Sequence, residues 1–373
     1  MKTRAALLRE LPGNFEIEEV ELESPRTGEV MVKLAASGMC HSDLSIARGT
    51  HPSGHLPMIG GHEGAGTIVE VGPSTPGWEE GQPVLLSCLP QCGRCRWCLS
   101  GHGNMCELAA NMPYGSRYED STSFRVKTSD GVDAGQWTAI GTFSEYSTVS
   151  VNQVVPVPDG VPLATVPVIA CGVASGWGSA VHLAAVRPGD TVVVMGVGGV
   201  GNYAVQGALH AGAENVIAVD PLEFKRQMAA DVGATHTCES MEEATELART
   251  LTEGDGANSA IVTVGILRPE YLLQAFAAVG KLGTVVATAL NEASDLNTQI
   301  DLWDFTINQK RLQGGLLGGC TPMIDLPLLL NLYKSGKLKL DQTVSSDYGL
   351  DDIDRAWSDL EHGRTVRNVM VFD

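Results

Sequence analysis

The stretch DTVVVMGVGGVGNYAVQGALHAGA, residues 190–213, decides the fold of the second half of this chain. It begins with a run of β-branched apolar residues, passes through closely spaced glycines and ends in a segment that favours a helix. Gly196, Gly198 and Gly201 have the G-x-G-x-x-G spacing where the strand gives way to the helix. The stretch therefore predicts a buried strand, a tight glycine turn and a helix.

Strand-like and helix-like segments continue to alternate from this stretch to about residue 290. The strand-like segments are NVIAVD (215–220), SAIVTVG (259–265) and GTVVATAL (283–290), and the helix-like ones are KRQMAADVGA (225–234) and YLLQAFAAVGK (271–281). This alternation is typical of a doubly wound parallel sheet. We therefore predict an α/β fold class, with such a domain beginning near residue 173.

The first 165 residues have a different rhythm. They are rich in glycine, proline and β-branched residues, and short apolar runs such as EVMVKLAASG (29–38) and QPVLLSC (82–88) are separated by turn signals, which predicts a mostly β structure. The tail from about residue 317 contains two helical segments, 327–337 and 352–363, and a final strand. The pattern alone does not assign this tail to either half.

Composition excludes several classes of protein. At 373 residues the chain exceeds one ordinary domain, and its net charge of −19 disfavours binding to a nucleic-acid backbone. No segment approaches the roughly 20 apolar residues of a membrane span, and the N-terminus lacks the apolar run of a signal peptide. We expect a cytoplasmic protein with reduced thiols and no nucleic-acid or membrane partner.

The glycine-rich turn predicts a dinucleotide site. Gly196 permits the tight turn, Gly198 lets a pyrophosphate approach the backbone, and Gly201 allows the helix to pack closely on the strand. Asp220 ends the next predicted strand, nineteen residues after Gly201. Its carboxylate suits the two hydroxyls of the adenosine ribose and repels a 2′-phosphate, so we predict NAD rather than NADP. The alternative is a glycine-rich turn without a ligand.

Two short segments and one distant cysteine predict a first metal site. CHSD (40–43) contains Cys40, GGHEGAG (60–66) contains His62, and Cys171 lies far along the chain. Two thiolates and one imidazole leave the fourth tetrahedral position of zinc open, as a catalytic site requires. Asp43 and Glu63, adjacent to ligands, suit the orientation of an imidazole or the balance of metal charge. Buried thiols and solvated carboxylates without a metal are the alternative.

The stretch QCGRCRWC (91–98) predicts a second metal site. The candidate ligands are Cys92, Cys95, Cys98 and Cys106. They could form a disulfide staple, a redox pair or a metal cage. A reducing compartment disfavours the staple, whereas four thiolates complete a tetrahedron with no vacancy, which is typical of structural zinc.

Together with GTFSEY (141–146), CGVASGWGSA (171–180) and GRTVRNVMVFD (363–373), these motifs resemble the zinc-containing medium-chain alcohol dehydrogenase family, in its order and spacing, over essentially the whole chain. AVDPLEFKR (218–226) and QKRLQGGLLGG (309–319) resemble the nicotinoprotein branch, whose members hold NAD tightly and are assayed with N,N-dimethyl-4-nitrosoaniline. The resemblance implies interconversion of alcohols, preferably primary, and aldehydes by hydride transfer to NAD.

The resemblance also implies a domain organisation. A GroES-like β-rich catalytic domain would comprise residues 1–172 and 317–373, with a structural zinc lobe at about 88–110. A Rossmann NAD-binding domain would comprise residues 173–316. Two zinc ions per chain and a homodimer or homotetramer are expected from the family.

The resemblance implies roles for further residues. Ser42 matches the hydroxyl that hydrogen-bonds the substrate alcohol and starts a proton relay. The residues expected to bind the cofactor are His41, Ser175, Gly196, Gly198, Gly199, Val200, Gly201, Asp220, Lys225, Val264 and Arg367.

The chain departs from better-known family members at several positions. Ser45 stands where many members carry a relay histidine, so His51 is a candidate replacement base, with an exposed loop histidine as the alternative. Cys88 stands where relatives often carry a bulky pocket residue and would widen the cleft near the metal. Trp137 is a candidate pocket wall, and core packing is the alternative for both. Cys238 is interpreted as structural, as is Cys320.

Two other functions stay open at this point. One is a noncatalytic binding protein on the same fold, which the intact metal-ligand pattern disfavours. The other is a thiol-adduct (S-hydroxymethyl) formaldehyde dehydrogenase, which would need a basic pocket rim for a carboxylated thiol. The acidic chain shows no such cluster, so we prefer a free alcohol or aldehyde as substrate.

Overall fold

The structure is a computed structural model that describes residues 1–51, 53–291 and 293–372, without the side chains of residues 346 and 347. The chain forms two compact units, one comprising residues 1–171 and 321–373 and the other residues 172–320. The predicted domain boundaries at 172 and 317 stay a prediction. In the described part of the chain, no helix is long and apolar enough to cross a bilayer.

The strands and helices are numbered along the chain. The strands are β1 (Lys2–Leu8), β2 (Glu16–Leu22), β3 (Glu29–Met39), β4 (Met58–Ile59), β5 (Glu63–Val71), β6 (Pro83–Leu86), β7 (Val126–Thr128), β8 (Asp133–Gln136), β9 (Tyr146–Ser150), β10 (Val154–Pro156), β11 (Thr191–Met195), β12 (Asn215–Val219), β13 (His236–Cys238), β14 (Ala257–Val262), β15 (Val279–Ala287), β16 (Arg311–Gly314), β17 (Val344–Tyr348) and β18 (Arg367–Val371). The helices are α1 (His41–Ala47), α2 (Arg96–Leu99), α3 (Gly172–Gly178), α4 (Gly199–His210), α5 (Glu223–Val232), α6 (Met241–Leu251), α7 (Pro269–Ala278), α8 (Leu302–Ile307), α9 (Pro322–Lys334) and α10 (Ile353–Glu361).

The unit formed by residues 172–320 contains a parallel sheet in the order β13-β12-β11-β14-β15-β16. Alternate residues of its central strand enter different apolar clusters: Val193 packs with residues of α6 and α7, whereas Val194 packs with residues of α4 and α5. Every residue of β11 is buried, because helices cover both faces of a doubly wound sheet. The predicted parallel sheet is therefore present.

The other unit contains a closed barrel of β1, β2, β7, β8 and β4, and a sheet in the order β10-β6-β5-β3-β18-β17, to which β9 adds by pairing with β3. The tail strand β18 pairs antiparallel with β3, with Val369 opposite Gly38. The tail that the sequence pattern left unassigned therefore belongs to this sheet. The long strand β3 also pairs with β5, which brings Gly38 opposite Glu63.

Helices α9 and α6 are among those that differ from the sequence expectation. Helix α9 begins at Pro322, before the predicted segment 327–337, and carries that proline in its first turn, where a missing N–H costs nothing. Helix α6 was not among the predicted segments, although Met241, Ala244 and Ala248 form a buried stripe at helical spacing.

Candidate functional site

The predicted first metal site is assembled where β3 and β5 meet. Cys40 follows β3 and caps α1, His62 and Glu63 lie at the start of β5, and Cys171 follows a short 3-10 turn at Val166–Ala170. Their four ligand atoms lie within 4.8 Å of one another. Cys40, His62 and Glu63 are buried, and Cys171 is half-buried. Residues that are far apart in sequence thus converge on one point.

Asp43 fixes the orientation of His62. The Nδ1–H group of His62 donates to Asp43 Oδ1 at 2.8 Å, and the backbone N–H of Cys40 donates to Asp43 Oδ2 at 3.2 Å. Because a carboxylate can only accept, this bond places the proton on Nδ1 and leaves Nε2 as the basic nitrogen. The buried carboxylate therefore holds both Cys40 and His62 in place.

Ser42 lies directly beside the ligand atoms. Its Oγ is 3.2 Å from Cys40 Sγ and 3.3 Å from His62 Nε2. It is half-buried in the first turn of α1. A hydroxyl at this place can exchange a proton with a group that approaches the Cys40–His62 side of the cluster.

Glu63 forms a buried ion pair with Arg367 at the back of the cluster. Burial raises the pKa of Glu63 to about 7, although the Arg367 charge acts in the opposite direction. A side chain at Gly38 would collide with the Glu63 carboxylate, so glycine at this position makes room for the pair. Arg367, predicted to contact a cofactor pyrophosphate, is 3% exposed and lies with Glu63 in the unit that contains the metal cluster.

The thiols and the imidazole polarise one another. A hydrogen bond from the Cys171 thiol lowers the pKa of Cys40 well below its usual value, and His62 and Arg367 act in the same direction against burial. Hydrogen bonding to Cys40 raises the pKa of Cys171. Burial acts to lower the pKa of His62, but Asp43 raises it well above the usual value. Two sulfurs, one imidazole nitrogen and a nearby carboxylate form a donor set that fits zinc.

The backbone before His62 is held by the segment that follows Trp137. The N–H of Thr142 donates to Gly61 O at 3.0 Å, and the N–H of Phe143 donates to Gly60 O at 2.9 Å. Gly61 has a φ of +83°, and a Cβ there would meet Phe143. The glycine pair before His62 is a sequence signal for this close backbone approach, whereas its partners Thr142 and Phe143 carry no local signal of the contact.

The four cysteines of the second predicted site also converge. Cys92, Cys95, Cys98 and Cys106 offer sulfurs that all lie within 4.8 Å of one another. The Cys95–Cys98 and Cys92–Cys98 sulfur distances are 3.5 and 3.9 Å, well beyond the roughly 2.05 Å of a disulfide. The backbone N–H groups of Cys95 and Cys92 donate to Cys92 Sγ and Cys106 Sγ, each at 3.3 Å. Donors aimed at sulfur stabilise thiolates, so this arrangement fits a closed tetrahedral metal site.

The glycine-rich turn has the backbone that its spacing predicts. Gly196 follows β11 with a φ of +85°, and Gly198 caps α4 with open space where its Cβ would lie. A Cβ at Gly201 would collide with the carbonyl of Gly196, so only glycine allows this approach. Gly199 and Val200 open α4. The N-terminal N–H groups of a twelve-residue helix therefore border an accessible turn, as an anion site requires.

Of the other predicted cofactor residues in the unit of residues 172–320, Asp220 and Val264 contact the glycine turn. Asp220 directly follows β12, is 5% exposed, and accepts from Val197 N at 3.2 Å through Oδ2. Val264 lies against Gly196, since a Cβ on that glycine would be 3.0 Å from Val264 N. Ser175 is buried in α3, and Lys225 is half-buried in the first turn of α5. His41, in the other unit, is exposed at the start of α1.

Ser45, Cys88 and Trp137, the positions at which the chain was expected to differ from the family, lie in different surroundings. Ser45 holds the His51 loop, because its carbonyl accepts from His51 N at 3.3 Å, and burial lowers the pKa of the half-buried His51 while Cys40 acts in the opposite direction. Cys88 is buried, and its thiol donates to Ala170 O at 3.3 Å. Trp137 instead packs against an apolar cluster that includes Phe15, Phe143 and Trp357.

Comparisons with known proteins bear on the family and the fold of this chain. An "Alcohol dehydrogenase GroES-like domain" model matches residues 26–159, and a "Zinc-binding dehydrogenase" model matches residues 199–334. The chain is 43% identical to an NDMA-dependent alcohol dehydrogenase of Amycolatopsis methanolica, over all of this chain and 99% of that relative. It is 31% identical to an S-(hydroxymethyl)glutathione dehydrogenase of Paracoccus denitrificans, over the full length of both.

A solved structure gives the same result for the fold. Benzyl alcohol dehydrogenase from Acinetobacter calcoaceticus superimposes with a TM-score of 0.90 at 29% identity, and the match covers all of both chains. The predicted α/β class, with a GroES-like domain and a Rossmann domain, is therefore confirmed.

Proposed function

This chain belongs to the zinc-containing medium-chain alcohol dehydrogenase family, and we propose that it interconverts primary alcohols and aldehydes at the Cys40–His62–Cys171 cluster. The observation that carries the proposal is the donor set itself: two thiols and one oriented imidazole, with the Ser42 hydroxyl beside them. The similarity to alcohol dehydrogenases over the full chain supports it. A noncatalytic binding protein would have no need of this arrangement.

The residues of the cluster and those around it have different proposed roles. When bound, zinc supplies a Lewis acid and NAD supplies the hydride acceptor. Cys40, His62 and Cys171 would hold the metal and leave one position for a substrate oxygen. Asp43 keeps Nε2 of His62 directed at the cluster, and Glu63 pairs with Arg367 behind it. Their shared task is to hold the substrate hydroxyl next to Ser42.

Ser42 and His51 provide the proposed route for the proton. The Ser42 Oγ accepts the substrate's hydroxyl proton as it passes its own proton on. His51 is the proposed final base, because its lowered pKa keeps the imidazole neutral, and so able to accept a proton, at physiological pH. Ser45 holds the loop that carries His51 and does not itself accept the proton.

Cys88 and Trp137 are proposed pocket residues with different support. The Cys88 thiol lies next to the peptide that leads into Cys171, so a small side chain there leaves space close to the metal. Trp137 packs into an apolar cluster. We propose that Cys88 sets the width of the pocket and that Trp137 supports its wall from behind.

The cofactor assignment rests on the glycine turn and Asp220. The open face at Gly198 and the helix N-terminus suit a pyrophosphate, and the Asp220 carboxylate suits a ribose without a 2′-phosphate. Ser175, Val264 and Lys225 would contact the nicotinamide and adenosine portions, and His41 and Arg367 the phosphates. Tight retention of NAD is proposed from the similarity to the NDMA-dependent relative.

A structural zinc and a homodimer complete the proposal. The Cys92–Cys106 cluster would hold a second zinc with four thiolates and no open position. Strand β16 lies at the edge of the six-stranded sheet with all four residues exposed, and Trp303 and Ile307 are exposed on the neighbouring helix α8. Such an edge suits pairing with a second copy across a twofold axis, and a tetramer would need a further interface.

The proposal is tested by the state of the cofactor. The purified protein is denatured, the supernatant is assayed for NAD, and turnover of primary alcohols is compared with added NAD and with N,N-dimethyl-4-nitrosoaniline. We expect released NAD and turnover with the nitroso acceptor. Turnover only with a carboxylated thiol adduct of formaldehyde would favour the function named for the Paracoccus denitrificans relative. No alcohol turnover by a zinc-loaded protein would contradict the proposal.

A further inference from the structure

Cys88 is a buried thiol beside the metal cluster that the proposed mechanism does not use. It is 6% exposed, and its Sγ donates to Ala170 O at 3.3 Å. That oxygen belongs to the peptide bond that leads into Cys171. A side-chain hydrogen bond also joins the Cys88 and Cys171 thiols. The Cys88 thiol therefore lies next to the Ala170–Cys171 peptide and within hydrogen-bonding reach of the Cys171 thiol.

The geometry points to a redox site: we propose that Cys88 and Cys171 form a disulfide when the protein meets a hydroperoxide, and that this bond removes Cys171 from the metal site. This inference rests on the proposed function, because it assigns a regulation to the proposed catalytic zinc. Cys88 is not one of the converging donors Cys40, His62, Glu63 and Cys171. It can react while those donors hold the ion.

The chemistry balances as a two-electron oxidation. The Cys88 thiol attacks the peroxide O–O bond and becomes a sulfenic acid, and one molecule of water or alcohol leaves. The Cys171 thiolate then attacks the Cys88 sulfur, the S–S bond forms, and hydroxide leaves and takes up a proton. Two thiols are oxidised and one hydroperoxide is reduced. A dithiol reductant reverses the step.

The consequence for the metal follows from the number of donors. With Cys171 in a disulfide, Cys40 and His62 would be the two protein ligands that remain. Zinc would therefore dissociate more readily. Cys40 is the competing partner, since its thiol also hydrogen-bonds Cys171. In the zinc-loaded protein Cys40 and Cys171 both bind the metal, whereas Cys88 does not. We therefore expect peroxide to oxidise Cys88 first and the disulfide to join residues 88 and 171.

The experiment maps the disulfide and follows the zinc. The zinc-loaded protein is treated with hydrogen peroxide in the presence of a chromogenic zinc chelator, alkylated, digested without reduction and analysed by mass spectrometry. We expect a Cys88–Cys171 peptide to accumulate in step with the release of one zinc, and dithiothreitol with added zinc to reverse both. In Cys88→Ala, zinc release from this site should be about tenfold slower.

Two further variants make the result specific. Cys238→Ala removes a thiol of similar burial, 7% exposed, from the other unit and should respond as the unmodified protein does. Cys88→Ser replaces Cys88→Ala if the alanine variant folds poorly. A Cys40–Cys171 peptide in place of Cys88–Cys171, or equal zinc release with and without Cys88, would overturn the inference. The mapping needs no turnover, so it reports on this thiol pair even if the proposed function fails.

Discussion

The two cysteine-containing clusters of this chain have similar donor atoms but differ in how those donors are arranged and surrounded. The Cys92–Cys106 cluster comes from one short stretch, three of its four sulfurs are half-buried, and backbone N–H groups point at the sulfurs. The cluster of Cys40, His62 and Cys171 comes from three separate segments, is largely buried, and is surrounded by Asp43 and Ser42. A closed set of four thiolates suits a brace, whereas three donors beside a hydroxyl suit chemistry.

Cys171→Ala should disable the mixed cluster of Cys40, His62 and Cys171, and it gives the largest expected effect. It removes one of three donors from the mixed cluster and leaves the four-thiolate cluster intact. We expect the loss of one of two zinc ions and a fall in alcohol turnover of at least about a thousandfold, because the Lewis acid is lost. Metal analysis and steady-state kinetics measure both. Retention of both zinc ions would contradict the assignment of Cys171.

Cys95→Ala should disable the cluster of Cys92, Cys95, Cys98 and Cys106. It removes one of four thiolates from a site with no substrate position, so we expect the loss of the other zinc. We also expect a destabilisation of more than about 4 kcal/mol, because loss of a metal is one of the few mechanisms that produce so large an effect. Thermal unfolding and metal analysis test this. Turnover measured well below the unfolding temperature should fall far less than in Cys171→Ala. If both zinc ions remained bound, the assignment of Cys95 as a ligand of a structural zinc would be wrong.

Asp43→Asn changes a residue that supports the mixed cluster and leaves the ligands of both clusters in place. Asparagine keeps the size of the side chain and can accept from His62 Nδ1–H, but it loses the negative charge and one of the two acceptor oxygens. We expect zinc affinity at this cluster to fall by about 10–100-fold, with no change at the four-thiolate cluster. Competition with a chelator resolves the two sites. An equal loss at both would show that Asp43 acts through general stability.

His51→Gln gives the smallest expected effect, since it changes only the proposed exit of the proton. Burial lowers the pKa of His51, so the neutral base is present above a pH that lies below the ordinary histidine value of about 6.5. Turnover should therefore rise with pH as the His51 imidazole loses its proton, at a pH below the ordinary histidine value. The variant should lack this rise, and its kcat near neutrality should be lower by up to about tenfold. A pH profile identical to that of the unmodified protein would remove His51 from the relay.

Features formed by residues close together in sequence were easier to predict than contacts between distant segments. The four lobe cysteines and the glycine turn are local in sequence, so spacing alone indicated their geometry. Spacing could indicate Cys40 and His62 as ligands, but only the pairing of β3 with β5 and β18 shows that Glu63 meets Arg367 behind them. Local patterns carry no information on such long-range pairing.

The remaining differences have similar physical reasons. Trp137 was predicted to be a pocket wall or a core residue, and the cluster it packs against includes Phe15 and Trp357, which come from opposite ends of the chain. The proximity of Cys88 to Cys171 depends on a 3-10 turn at Val166–Ala170 that has no strong sequence signal. Arg367 was identified by its match to the family, and its burial beside Glu63 could be seen only in the fold.

The difference between the two clusters is tested most directly by replacing their zinc with cobalt and recording the visible absorption while alcohol is added. An ion with an open position changes its ligand field when a substrate oxygen binds, whereas an ion enclosed by four thiolates does not. We predict that the spectrum of the unmodified protein changes with alcohol and that the spectrum of Cys171→Ala, with cobalt only in the four-thiolate cluster, does not. A response that persists in Cys171→Ala, or no response in the unmodified protein, would contradict the assignment of catalysis to the mixed cluster.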